Sequence, residues 1–131
     1  MKNKKLLIAI LCIFVFDLPG AANRIRQNFD FDWQFRLGEN GDFREVQLPH
    51  DWSVELDFDK KAGGASGYLL GGIGWYRKSF MIPASYKNQK VSLVFDGIYH
   101  KATIFLNGKE IAYHRYGYTS FETDLTPFLK Y

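Results

Sequence analysis

A predicted β-hairpin between residues 102 and 114 constrains the fold most strongly. The short segments 102–106 and 109–114 flank the dipeptide Asn107-Gly108. Asn-Gly is the strongest short-range signal for a two-residue hairpin turn, because both turn positions require a positive φ. The sequence therefore predicts an antiparallel pair of strands here, with the second strand returning directly beside the first.

Five further segments have the pattern of short strands. Residues 29–35 alternate strictly, with four aromatic side chains on one side and Asp30, Asp32 and Gln34 on the other. This is the period of a half-buried strand. The other predicted strands are residues 44–48, 75–80, 91–95 and 119–125. Beyond the N-terminal apolar run, the sequence lacks the periodicity of an amphipathic helix, and residues 53–74 predict a long loop. An all-β fold follows, either an antiparallel β-sandwich or a jelly roll.

The first 22 residues have the three-part pattern of a cleaved secretory signal. Three lysines precede an apolar run over residues 6–16, which is followed by Pro19 and by small residues at positions 20 and 22. The run is shorter than the about 20 residues that span a bilayer, although an uncleaved anchor is the alternative. We expect a signal peptide at 1–22, one domain at 23–131, and no membrane contact after cleavage.

Composition excludes several classes of protein. The formal charge of +3 falls once the signal is removed, which leaves 14 basic and 13 acidic residues. This balance argues against nucleic acid as a partner, because such binding needs a concentrated basic face. Cys12 is the only cysteine, so the mature chain would have neither a disulfide framework nor a thiolate nucleophile. An exported protein whose mature chain has no cysteine fits a bacterial periplasm or cell surface.

Motifs for catalysis and for cofactor binding are missing from the sequence. No serine lies in a Gly-x-Ser-x-Gly elbow. Residues 63–74 are rich in glycine but lack the Lys-Ser/Thr ending of a phosphate loop. His50, His100 and His114 lack the spacing of metal ligands. We therefore expect no serine triad, no metal and no cofactor in this chain.

The segment LPHDW at residues 48–52 is the strongest candidate for substrate contact. Proline ends a predicted strand, and three functional side chains follow at the start of a loop. His50 and Asp51 can form directional hydrogen bonds to hydroxyl groups, and Trp52 can stack on a sugar face. The structural alternative is that Asp51 caps a turn and Trp52 fills the edge of the core.

Three blocks of the sequence resemble the N-terminal sugar-binding domain of glycoside hydrolase family 2. They are LPHDW at 48–52, GWYRKSF at 74–80, and the long run LVFDGIYHKATIFLNGKEIAYHRYGYTSFETDLTPFL at 93–129. The family includes β-galactosidases, β-glucuronidases and β-mannosidases, and the PHDW form is most similar to bacterial β-galactosidases.

The resemblance implies a jelly-roll β-sandwich, similar to galactose-binding domains, whose last strands would lie beyond residue 131. It implies a glycosidase that acts on β-galactoside-like glycans, and the predicted signal peptide would export it. An immunoglobulin-like domain and a (β/α)8 barrel would follow, and the barrel would carry the two catalytic glutamates. The resemblance therefore implies no catalytic residue in this chain. His50, Asp51 and Trp52 would then lie at the mouth of the active site. The segment 71–74 (GGIG), at a loop where some members place an asparagine, has no polar side chain.

Two other functions are compatible with the sequence. The first is a free carbohydrate-binding module with an exposed aromatic platform, for which Tyr68, Trp75 and Tyr99 are candidates, although a place in the core is the better interpretation of Trp75. The second is a structural β-sandwich that uses its aromatic surface as a protein interface.

Overall fold

The structure is a computed structural model that describes residues 24–64 and 67–131. The predicted signal peptide and its cleavage site after residue 22 lie outside the described residues. Neither described range contains a helix with the length and hydropathy that a bilayer crossing requires.

All regular structure in the described ranges consists of short β-strands and single turns of 3₁₀ helix. The strands are β1 (Trp33–Leu37), β2 (Arg44–Val46), β3 (Gly74–Arg77), β4 (Ser92–Phe95), β5 (Ala102–Leu106), β6 (Lys109–His114) and β7 (Phe121–Asp124). They form three antiparallel sheets in the orders β2-β1-β3, β4-β7 and β5-β6. The all-β, antiparallel prediction is therefore confirmed.

The three-stranded sheet is organised around Phe35 in the central strand β1. Phe35 lies opposite Arg44 of β2 and opposite Tyr76 of β3 in the strand register. Its side chain is only 3% exposed, and Val46 of β2 is also buried. An aromatic side chain at the centre of a sheet removes a large apolar area from water, so Phe35 is the main buried contact of this half of the domain.

The predicted hairpin is confirmed with the expected bounds. Asn107 and Gly108 have φ values of 52° and 80°, and they connect β5 directly to β6. A β-bulge shifts the register between Ile104 and Phe105. Alternation along β5 leaves Phe105 half-exposed, whereas Ile104 faces the less exposed side.

Strand β7 pairs with β4 along its length, and further hydrogen bonds at the strand ends hold the two together. The Val91 amide donates to Thr126 Oγ1 at 2.9 Å, and the Leu125 amide donates to the Val91 carbonyl at 2.9 Å. The Thr126 amide in turn donates to Asp124 Oδ1 at 2.9 Å. These bonds satisfy polar groups around the buried Leu125.

The strand predicted at residues 29–35 was wrong over its first half. β1 begins only at Trp33, because Asp32 has a φ of 58° and turns the backbone out of the extended conformation. Phe31 is consequently 51% exposed rather than aligned with Phe35. The Trp33 indole Nε1 donates to the Phe29 carbonyl at 2.7 Å, which stabilises this bend.

Replacing Phe35 with alanine should destabilise the domain far more than the same change at Phe105. Phe35 is 3% exposed and Phe105 is 51% exposed. Truncating a buried phenylalanine costs about 3–5 kcal/mol, whereas we expect less than about 1 kcal/mol at the surface position. Urea denaturation monitored by tryptophan fluorescence measures both values.

A second variant keeps this test usable if the alanine variant fails to fold. Phe35→Leu retains most of the apolar volume, so we expect a loss below about 1.5 kcal/mol. Equal losses for Phe35→Ala and Phe105→Ala would contradict the placement of the core.

Candidate functional site

The LPHDW segment leads from β2 to a one-turn 3₁₀ helix at Trp52–Glu55. The Leu48 amide donates to the Asp30 carbonyl at 2.9 Å, which holds the start of the segment beside the chain that leads into β1. The following residues cross the end of the three-stranded sheet, where they meet Phe35 and Tyr76.

His50 lies at the centre of a polar cluster. Its Nδ1 is hydrogen-bonded to the Tyr76 hydroxyl at 2.7 Å, and its Nε2 lies 3.1 Å from Glu55 Oε1. Arg44 Nη2 lies 3.4 Å from the same imidazole nitrogen, and the guanidinium also forms an ion pair with Glu55. Both ring nitrogens of His50 are therefore engaged within the domain.

The same imidazole is packed against aromatic rings. The centroid of the His50 ring lies 4.8 Å from that of Phe35 and 5.6 Å from that of Tyr76. The Arg44 guanidinium lies over Phe35, 5.2 Å from the ring centroid. The His50 side chain is 11% exposed, so its main role in this structure is to anchor the loop on the sheet.

Asp51 caps the 3₁₀ turn. Its Oδ1 accepts hydrogen bonds from the Ser53 amide at 2.9 Å and from the Ser53 hydroxyl at 2.6 Å. The hydroxyl bond, followed by the amide bond and the charge of His50, lowers the pKa of Asp51 below its ordinary value. The capping alternative is thus borne out, while the exposed carboxylate remains accessible to a ligand.

Trp52 is half-buried against the glycine-rich segment before β3. A Cβ atom on Gly74 would lie 3.0 Å from Trp52 Nε1 and 3.0 Å from Phe35 Cε2. A Cβ on Gly72 would lie 3.4 Å from the indole Cη2 atom. Glycine at these positions lets the indole approach the backbone closely, which is a packing reason for the absence of side chains there.

Sequence reasoning missed three members of this cluster: Arg44, Glu55 and Tyr76. Burial, then the charges of Asp51 and Glu55, raise the pKa of Tyr76 to about 12, while the Arg44 charge opposes the shift. Strand alternation places Trp75 and Tyr76 on opposite faces of β3, but it does not show which of the two faces inward. The ion pair between Arg44 and Glu55 joins residues on either side of a loop. The periodicity of a single strand cannot predict such a contact.

The exposed aromatic residues lie elsewhere. Trp75 is 37% exposed, so the expectation that it belongs to the core was wrong: the alternation of β3 turns Tyr76 inward instead. Tyr68 is 49% exposed and Tyr99 is 75% exposed. Of the three suggested platform residues, Tyr99 offers the largest fraction of its surface.

The cluster is suited to positioning and hydrogen bonding. Within residues 24–64 and 67–131, no group of three or more His, Cys, Asp or Glu side chains is arranged to hold a metal ion. The polar atoms of His50, Tyr76 and Glu55 satisfy one another. Asp51 and Glu55 are the exposed carboxylates of this segment, and Glu55 is paired with Arg44.

The ionisation of Tyr76 should make the folded state sensitive to alkaline pH. The phenol keeps its proton up to about pH 12 when folded, but loses it near pH 10 when unfolded. Its contribution to stability is therefore complete below pH 10 and is lost as the pH rises towards 12. Urea denaturation at a series of alkaline pH values should show this loss, and Tyr76→Phe should reduce it.

Tyr113→Phe is the matched control, because Tyr113 is 49% exposed on β6. We expect this variant to keep the alkaline loss of the wild-type chain. An identical pH dependence in the Tyr76→Phe variant would contradict the shifted pKa.

Comparison with known proteins places this geometry in a family. The sequence model for "Glycosyl hydrolases family 2, sugar binding domain" matches residues 65–131. Beta-galactosidase BoGH2A from Bacteroides ovatus is 39% identical over 120 residues, covering 82% of this chain and 14% of the relative. Beta-glucuronidase from Bacteroides fragilis is 34% identical over 131 residues, covering 98% of this chain and 18% of the relative. The chain therefore spans less than a fifth of these relatives.

Solved structures agree with the sequence matches. A beta-glycosidase from Bacteroides vulgatus superposes with a TM-score of 0.72 at 38% identity, covering 79% of this chain and 15% of that one. A beta-glucuronidase from Bacteroides uniformis superposes with a TM-score of 0.67 at 30% identity, covering 79% of this chain and 13% of that one. The antiparallel β-sandwich class is thereby confirmed. The chain belongs to glycoside hydrolase family 2, within which residues 65–131 match the sugar-binding domain.

Proposed function

We propose that this chain is the N-terminal sugar-binding part of an exported glycosidase that acts on β-linked glycans, β-galactosides foremost. The observation that carries the proposal is the match of residues 65–131 to the family's sugar-binding domain. The high identity to a protein named beta-galactosidase supports the galactoside assignment.

Hydrolysis would require groups that we assign to other domains of the same enzyme. Retaining glycosidases use two carboxyl groups about 5–5.5 Å apart, one as acid/base and one as nucleophile. We propose that a (β/α)8 barrel supplies them, with an immunoglobulin-like domain between it and this one. The coverage of less than a fifth of each relative supports this division.

A β-glucuronide is the second candidate ligand. Several relatives are named beta-glucuronidase. A glucuronide carries a carboxylate, which favours a cationic partner. Arg44 is a cation that lies beside His50 of LPHDW, but it is paired with Glu55. This pairing favours the neutral galactoside at this segment.

Within LPHDW we propose Asp51 as the residue that contacts a saccharide directly. His50 and Trp52 would act by positioning it, since both are engaged inside the domain. The fixed 3₁₀ turn holds the Asp51 carboxylate at the exposed rim, where it can accept a hydrogen bond from a sugar hydroxyl.

The purified chain should bind methyl β-D-galactopyranoside without hydrolysing it. We expect weak, saturable binding in isothermal titration calorimetry, and weaker binding of methyl β-D-glucuronide. Incubation with a chromogenic β-galactoside should release no dye, because no catalytic carboxylate pair is assigned to this chain. Absence of binding to both glycosides would contradict the proposed function.

Asp51→Ala should weaken this binding several-fold, while Asp57→Ala should leave it unchanged. Both residues are exposed carboxylates of the same loop region. Because Asp51 also caps a turn, Ser53→Ala separates the two roles: it removes a capping partner but keeps the carboxylate. Equal affinities for Asp51→Ala and wild type would rule out the Asp51 contact.

We also propose that residues 1–22 direct export to the bacterial periplasm or cell surface. The basic start, apolar run and small residues before position 23 support this role. A fusion of residues 1–30 to a phosphatase that is active only outside the cytoplasm should be active in a bacterial host. Replacing Ile8 and Ile10 with aspartate should abolish that activity, whereas Asn3→Asp should not. An inactive wild-type fusion would contradict export.

A further inference from the structure

Two loops meet at one end of strands β4, β6 and β7. Residues 96–101 lead from β4 to β5, and residues 115–120 connect β6 to β7. A stack of three rings lies where these loops begin and end. The Phe121 ring lies 4.0 Å from the His114 ring and 4.7 Å from the Phe95 ring, with interplanar angles of 16° and 18°. The ends of β4, β6 and β7 are therefore fixed relative to one another.

Each loop presents a tyrosine that is largely exposed. Tyr99 is 75% exposed and Tyr118 is 91% exposed. Their ring centroids are 5.7 Å apart with an interplanar angle of 60°. This separation lies within the range of a direct aromatic contact, so the two rings touch at an incline and each leaves part of a face open. We call this pair, Tyr99 and Tyr118, the tyrosine platform.

The backbone beneath the platform allows no side chain. A Cβ atom on Gly117 would lie 2.4 Å from Tyr99 Cδ2 and 3.2 Å from Tyr99 Cα. A Cβ on Gly97 would lie 3.1 Å from the Gly117 carbonyl oxygen. The two glycines therefore permit the loops to pack directly on each other, which sets the position of the Tyr99 ring next to Tyr118.

We propose that the tyrosine platform is a glycan-binding site that stacks against the apolar face of a pyranose ring. This inference rests on the proposed function and adds a second glycan contact besides the one proposed at Asp51. Tyrosine presents an apolar ring with a polar tip, which suits a ligand that has one apolar face and peripheral hydroxyl groups. Both tyrosines also lie within residues 65–131, the range matched to the sugar-binding domain, whereas LPHDW lies outside it.

The test measures the affinity of the purified chain and its variants for methyl β-D-galactopyranoside by isothermal titration calorimetry. Tyr99→Ala and Tyr118→Ala should each weaken binding about tenfold, which corresponds to about 1.4 kcal/mol. Tyr99→Phe and Tyr118→Phe keep the ring and should stay within about threefold of wild type, the loss of a single hydroxyl contact being smaller. Tyr113→Ala, at a half-exposed tyrosine of β6, is the matched control and should bind like wild type.

The possible outcomes distinguish a failure of the tyrosine platform from a failure of the proposed function. Loss of affinity in the two alanine variants, with Tyr113→Ala unchanged, supports the platform. Unchanged affinity in Tyr99→Ala and Tyr118→Ala would overturn the platform but leave the proposed function standing. No binding by the wild-type chain would overturn both. The 91% exposure of Tyr118 makes its alanine variant safe for folding, so this variant alone decides the question if Tyr99→Ala loosens the loop.

Discussion

The packing of Phe35 between His50 and Tyr76 is the contact on which this part of the molecule depends. The three rings lie within 4.8–5.6 Å of one another. They join the central strand of the three-stranded sheet, its neighbour β3 and the loop after β2. On the outer side of this cluster, Arg44 forms an ion pair with Glu55, and His50 is hydrogen-bonded to Tyr76 and to Glu55. The loop is therefore held by apolar burial inside and by polar contacts at its rim.

In the second half of the domain, a different cluster of aromatic rings holds the loops in place. The ring stack of Phe95, Phe121 and His114 holds the ends of three strands together. In both halves, an aromatic cluster fixes loops whose exposed residues can then meet a ligand in a defined arrangement. Pre-organisation of this kind reduces the entropy lost on binding, which matters for saccharides that make few strong contacts.

Local sequence signals predicted the local structure well. The bounds of β5 and β6 followed from Asn107-Gly108, because a two-residue turn fixes the register of both strands. The early start predicted for β1 failed because alternation alone does not reveal the positive φ of Asp32. Side-chain alternation also could not decide that Trp75 faces outward and Tyr76 inward, since both are aromatic.

The site was only partly predictable, because its contacts are distant in sequence. The sequence placed His50, Asp51 and Trp52 directly after a strand, although β2 ends at Val46, earlier than the predicted end at residue 48. The ion pair of Arg44 with Glu55 and the contact of His50 with Tyr76 join residues 11 and 26 positions apart. Likewise, the neighbouring positions of Tyr99 and Tyr118 result from two loops that meet only in the folded chain.

We propose that this domain holds a saccharide at the tyrosine platform as well as at Asp51. Two-dimensional NMR of the isotope-labelled chain, titrated with methyl β-D-galactopyranoside, tests it most directly. We expect saturable chemical-shift changes in residues 96–101 and 115–120, and also at Asp51. A titration in which the resonances of these two loops stay unchanged would contradict it.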